Sequence, residues 1–226
     1  TKKYENSRLV TQNFINARHS HEIIFTKGTT DSINLLASSF GQLLKKGDEI
    51  IISEMEHHSN MVPWQMCCER SGAKLKIIPC NKIGELDLDM FNQLISNKTK
   101  IVSVTHISNS LGTINPIRKI IEISHQKNVQ VIIDGAQAAA HVKLDMQKLD
   151  ADFYCFSAHK LYGPTGVGVL YGKENLLNLL PPYQGGGEMI KDVSLLKTTY
   201  ADLPHKFEAG TPNIAGVIAF KKSLDF

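Results

Sequence analysis

The sequence predicts an α/β fold: a mostly parallel sheet of about seven strands with helices on both faces. Three observations carry this expectation. Short apolar runs alternate with longer helix-periodic stretches along most of the chain. The linking segments are long enough for right-handed crossovers, which parallel neighbours require. The run Val129-Gln-Val-Ile-Ile133 is apolar except for Gln130, as expected of a strand buried on both faces.

The elements follow in order. Residues 6–18 read as a helix and 21–26 as a short strand. The turn Lys27-Gly-Thr-Thr30 opens a helix over 31–44. Strand 48–53 runs into Glu54-Met-Glu-His-His-Ser-Asn60, followed by a helix over 61–71, a strand over 74–79 and a helix over 87–96. Strand 101–106 ends in Ser108-Asn-Ser-Leu-Gly112. The helix over 116–127 starts on a proline, which is tolerated in a first turn. Strand 129–133 stops at Asp134-Gly-Ala-Gln137. Runs 152–156 and 167–171 flank Ser157-Ala-His-Lys-Leu-Tyr-Gly-Pro-Thr-Gly166. That link is too short for a crossover, so the second run is expected to be antiparallel. Gly185-Gly-Gly187 and Gly210-Thr-Pro212 read as flexible polar loops, and 215–226 as a last helix. Both ends read as cut, since the chain starts without methionine inside a helical pattern and stops inside another.

Composition excludes several classes. A length of 226 residues suits one α/β domain, and 42% hydrophobic with 21% charged residues is ordinary for a globular protein. A net charge of +3 from scattered residues argues against nucleic acid, and no apolar run has the length of a membrane span. Cys67, Cys68, Cys80 and Cys155 form no CxxC pair, which argues against a metal site and for reduced thiols in a cytoplasmic protein.

Polar residues gather at the expected carboxyl ends of the strands, where open α/β sheets bind ligands: Thr29, Thr30, His57, Asn109, Asp134, Gln137, Ser157, His159 and Lys160. Lys160 lies between two apolar runs and would sit at the sheet's mouth. Burial there would lower its pKa and make it an amine nucleophile toward a carbonyl. The Gly-Thr-Thr turn suits either an ordinary helix cap or an anion site, because free N–H groups and the helix dipole meet there. An aspartate could pair with a protonated pyridine nitrogen, and a histidine could stack on the ring. Together these groups are the equipment for pyridoxal 5′-phosphate (PLP). A nicotinamide-binding reading lacks the GxGxxG fingerprint.

Seven motifs carry a specific resemblance: Lys27-Gly-Thr-Thr30, Glu56-His-His-Ser-Asn60 with Val62-Pro-Trp-Gln65, Ser108-Asn-Ser-Leu-Gly112, Asp134-Gly-Ala-Gln137, Ser157 to Gly166, Gly185-Gly-Gly-Glu-Met-Ile190, and Phe207-Glu-Ala-Gly-Thr-Pro-Asn213. In their order and spacing the chain resembles class V aminotransferase-like PLP enzymes of fold type I, specifically the SUF-type (group II) cysteine desulfurases. The resemblance implies that residues 1–226 are the large PLP-binding domain and that a small C-terminal domain lies beyond Phe226. It implies Lys160 as the Schiff-base lysine and proton shuttle, and Asp134 on the pyridine nitrogen. Gln137 would reach the phenolic oxygen, His57 the ring face and Asn109 the substrate carboxylate. Thr29, Ser157 and His159 would hold the phosphate, beside the Thr30 hydroxyl, and Thr211 would reach the phosphate of a neighbouring subunit in a homodimer. The implied reaction takes sulfur from L-cysteine, leaving alanine and a protein persulfide that passes sulfur to an iron–sulfur assembly partner. The family's persulfide cysteine and carboxylate-binding arginine match none of the four cysteines and not Arg118. Competing readings are a selenocysteine lyase, a kynureninase-like hydrolase, and a non-catalytic PLP-fold binding module.

Overall fold

Seven strands form one twisted sheet in a computed structural model that describes residues 2–225. They are β1 (Ile23–Thr26), β2 (Glu49–Ser53), β3 (Lys74–Ile78), β4 (Thr99–Thr105), β5 (Gln130–Asp134), β6 (Phe153–Ser157) and β7 (Gly168–Gly172), in spatial order β1-β7-β6-β5-β4-β2-β3. Strands β6, β5, β4, β2 and β3 pair in parallel. β7 runs antiparallel to both neighbours, so β1 again points the same way as β6. The fold class and the reversed strand after Lys160 are as the sequence predicts.

The helices are α1 (Lys2–Phe14), α2 (Thr29–Gly41), α3 (Val62–Ser71), α4 (Leu88–Leu94), α5 (Ile117–His125), α6 (Met146–Leu149), α7 (Glu174–Leu179) and α8 (Ile214–Leu224). Two apolar layers, one per sheet face, hold them. Ile51, Val131, Ile133, Tyr154 and Phe156 face one layer with α1, α4, α5 and α8 residues such as Phe91, Ile120 and Phe220. Ile50, Ile52, Ile132, Phe153 and Cys155 face the other, with Ile33, Leu36, Phe40 and Trp64 of α2 and α3. This two-residue alternation follows from the pleat. Each fully buried leucine or isoleucine contributes about 1.5–3 kcal/mol, so the layers fix the strand ends firmly.

Several boundaries shift for local reasons. The first helix covers Lys2–Phe14 rather than 6–18, because Asn16 turns left-handed (φ 51°) and the Gln12 side chain donates to the Ala17 and Arg18 carbonyls. α2 begins at Thr29, inside the expected turn, and ends at Gly41. Phe226, the expected end of the last helix, lies outside the described residues. Between the two glycine loops lies a hairpin, β8 (Ile190–Val193) with β9 (Thr198–Tyr200), which the sequence reading does not predict, and neither does it predict α7. Among the described residues no helix is long and apolar enough to cross a membrane.

Candidate active site

One end of the sheet collects the polar residues singled out in the sequence. A cleft of about 220 Å³ is lined by Thr29, Thr30, His57, Asn109, Asp134, Gln137, Ser157, His159 and Lys160, together with Ser59, Thr105, Ile107 and Ala136. These come from the carboxyl ends of β1, β2, β4, β5 and β6, five strands that share one direction. Residues as distant as Thr29 and Lys160 therefore converge because their strands are neighbours or near neighbours.

At one side, Thr29 opens the 13-residue helix α2, and its N–H donates to Ser157 Oγ at 2.8 Å while the two hydroxyls lie 2.7 Å apart. This close approach depends on glycine. Gly28 takes φ 155°, which disfavours a side chain, and a Cβ on Gly168 would fall on the Gly28 backbone, 2.6 Å from its carbonyl carbon. A helix N-terminus surrounded by the Thr29, Thr30 and Ser157 hydroxyls and His159 is a phosphate-type site.

At the other side, Asp134 ends β5 and is only 4% exposed. Its Oδ1 accepts the Ala136 N–H at 2.9 Å. Burial raises its pKa; that N–H and the nearby Lys160 and His57 pull the other way without cancelling the rise. A buried carboxyl of this kind favours a cationic partner. Under the turn, Tyr154 fills the space that a Gly135 side chain would occupy, and its hydroxyl bonds His106 Nδ1 at 2.8 Å. Burial holds His106 down to about 4, so the imidazole is neutral near pH 7.

Lys160 lies in the short 3₁₀ turn Ala158–Leu161, which closes when Tyr162 turns left-handed (φ 60°). It is half-buried rather than desolvated as expected, because the cleft beside it is open. His57 is exposed at the rim. The Ser59 N–H donates to His57 Nδ1 at 3.1 Å, which assigns the ring proton to Nε2 in the neutral form. Ser59 Oγ also meets Thr30 Oγ1 at 2.7 Å, joining the histidine loop to α2.

Thr211 does not join this group. It is exposed and lines a separate hollow of about 440 Å³ with Lys27, Asp31 and Asn213. No cysteine lines the cleft. Cys67 and Cys155 are fully buried, and burial pushes all four thiols up, Cys68 to about 11. Arg118 is exposed on α5 beside Glu122, away from the cleft.

Sequence reasoning missed Glu56, Asn60 and Trp64, which form a buried polar network behind His57. The signal for it was present: Asn60 and Trp64 are four residues apart, one turn of a helix.

Comparison with known proteins agrees with this geometry. The family model "Aminotransferase class-V" matches residues 1–226. The chain is 52% identical over its whole length to a cysteine desulfurase of Enterobacter sp. (strain 638). It superposes on the cysteine desulfurase CsdA (S-sulfonic acid) of Escherichia coli with a TM-score of 0.96 at 43% identity, over 99% of this chain. An apo cysteine desulfurase from Thermococcus onnurineus NA1 gives a TM-score of 0.95 at 40% identity, over the full chain. In each case the chain spans 56% of the relative's length. Cleft, sheet order and whole-length match together place the chain in the aminotransferase class-V family.

Proposed function

We propose that the chain is the PLP-holding part of a cysteine desulfurase, which takes sulfur from L-cysteine and leaves L-alanine and a protein persulfide. The observation that carries this reading is the convergence of nine sequence-selected residues on one cleft at the carboxyl ends of five co-directional strands. The relatives named above support the choice of reaction.

The donor set fits PLP at both ends. The N-terminus of α2, the Thr29, Thr30 and Ser157 hydroxyls and His159 suit a phosphate, while Asp134 suits a protonated ring nitrogen. Lys160 supplies the amine for the aldehyde, His57 a ring to stack, and Gln137 a donor for the phenolic oxygen. When bound, PLP supplies an electron sink for the carbanion left by loss of the substrate Cα proton. Lys160 Nζ takes that proton and returns it, from its half-buried place in the cleft. Asn109, at the exposed rim, orients the substrate carboxylate. The thiol that accepts sulfur is not one of the four cysteines of this chain, which are raised in pKa and outside the cleft.

A homodimer is part of the proposal, with Thr211 serving a neighbouring subunit's phosphate. Its position outside the chain's own cleft supports this, as does a hairpin tip with Leu195 and Leu196 almost completely exposed. The persulfide sulfur would pass to an iron–sulfur assembly protein in the cytoplasm, with L-selenocysteine as an alternative substrate. The test is a visible spectrum of the protein with added PLP, followed by borohydride reduction and peptide mapping. The pyridoxyl group is expected on Lys160 and is lost in Lys160→Ala. A folded protein that gives no band, or a label on another lysine, overturns the reading.

A further inference from the structure

Behind the cleft lies a polar network that the reaction described above does not use. Glu56 is 6% exposed, and its carboxyl is held from three segments. Oε1 meets the Ser53 hydroxyl, from the end of β2, and accepts the Thr105 N–H of β4 at 2.9 Å. Oε2 receives Asn60 Nδ2 at 2.6 Å. The direction of this last bond is fixed from the far side. Trp64 Nε1 can only donate, and it does so to Asn60 Oδ1 at 3.0 Å, where the Ser103 hydroxyl also donates at 2.6 Å. The Asn60 amide must therefore turn its NH₂ toward Glu56.

We propose that Glu56 is a positioning residue, whose buried carboxyl clamps the His57 loop to β4 beside Asp134 and so sets the spacing of the ring-facing and nitrogen-facing ends of the cleft. Two placements make the clamp relevant to the site. His57 follows Glu56 directly in the chain. Thr105 lines the cleft and pairs in register with Asp134 on β5. The titratable groups that act on or feel this carboxyl are Asp134 on β5 and Cys80 beyond β3. Burial raises the Cys80 pKa, and Glu54 and then Glu56 add to the rise. The proposal rests on the PLP reading only in the cofactor arm of its test.

Complementarity supplies that test. Glu56→Gln places an NH₂ against either the locked NH₂ of Asn60 or the Thr105 N–H, and a buried donor facing a donor loses its bond. Adding Asn60→Asp reverses the pair: the new carboxylate accepts from Trp64, Ser103 and the amide at 56. Trp64 is the single tryptophan, so its emission reports the network in cofactor-free protein. Glu56→Gln is expected to shift that emission and weaken PLP binding by about tenfold, and the double variant to restore both, the affinity to within about threefold. If Glu56→Gln does not fold, recovery of the folded state in the double variant supports the clamp, and failure of the double variant overturns it. Unchanged Trp64 emission in a folded Glu56→Gln variant overturns it as well, as does unchanged PLP affinity. A wild type that binds no PLP refutes the parent reading alone, and the emission arm then decides the clamp.

Discussion

Substituting Glu208 by alanine probes how the outer edge of the sheet is closed. β1 pairs only with β7, so Ile23 and Phe25 direct a carbonyl and an N–H away from any strand. Two side chains answer them. Arg8 Nη1 donates to the Ile23 carbonyl at 2.7 Å, and Glu208 Oε1 accepts the Phe25 N–H at 2.7 Å. The two join each other through Arg8 Nη1 and Nη2 at 2.7 and 2.9 Å, with side chains 2% and 7% exposed. Burial works against the Arg8 charge, but Glu208 and Glu5 more than offset it and raise its pKa. Glu208→Ala leaves the Phe25 N–H and the Tyr4 hydroxyl without their acceptor, and leaves Arg8 with the half-exposed Glu5 as its ion-pair partner, beside the Ile23 carbonyl and the Tyr4 and Phe25 rings. Breaking one partner of a buried pair costs about 3–5 kcal/mol. At a urea slope of about 3 kcal/mol per molar, the unfolding midpoint should fall by about 1–1.7 M. Arg8→Met combined with Glu208→Gln should recover part of that loss, because no unpaired charge remains buried. A loss below about 1 kcal/mol for Glu208→Ala, the value of an exposed pair, would refute the argument.

Two further outcomes follow from the same structure. Gly168→Ala should lower the melting temperature by several degrees and weaken PLP binding, because the new Cβ meets the Gly28 backbone where no rotamer can yield. Unchanged melting and affinity would show that β1 and β7 can separate at this point. The second outcome concerns pH. Burial lifts Glu56 from 4.5 to about 8, against the bonds from Ser53, Asn60 and Thr105. The folded state then keeps a proton that the unfolded chain has released, so stability falls as pH rises toward 8. His106, held down to about 4 from 6.5, acts in the opposite sense below 6.5 and masks the slope there. Between pH 6.5 and 8 the wild type should lose about 1–1.5 kcal/mol, because the slope of about 1.4 kcal/mol per unit halves at the folded pKa and His106 still offsets part of it near 6.5. Urea titrations should show this loss in the wild type and not in Glu56→Gln; the same loss in both would assign it elsewhere.

The legible part of this protein was the part written in local contrast. Thr29, His57, Asn109, Asp134 and Lys160 each follow an apolar run that ends abruptly, and a strand's carboxyl end is where such a break has chemical meaning. What could not be read depends on distant partners. Glu56 stands in the charged run Glu54-Met-Glu-His-His58, which looks solvated, and only packing against Ser53, Asn60 and Thr105 buries it. The hairpin at 190–200 leaves no strand signal in the sequence, because its residues are exposed and no buried face gives it a two-residue pattern. The place of β1 beyond β7 was equally hidden, since alternation of strands and helices fixes direction but not order.

That hidden order is what makes the site possible. Thr29 and Ser157 touch because β7 inserts between β1 and β6 as a strand of small girth at its end, where Gly168 faces Gly28. A side chain at Gly168 would push the N-terminus of α2 away from the end of β6 and open the phosphate-type pocket, while one at Gly28 would strain the backbone at φ 155°. The motif around Lys160 therefore does more than present an amine. Its Gly-Pro-Thr-Gly turn reverses the chain at once, sends β7 back beside β6, and so brings the α2 end to the lysine's own strand. One reversal thus places the amine and the anion site together, and the remaining parallel strands need only supply His57 and Asp134 from the same side.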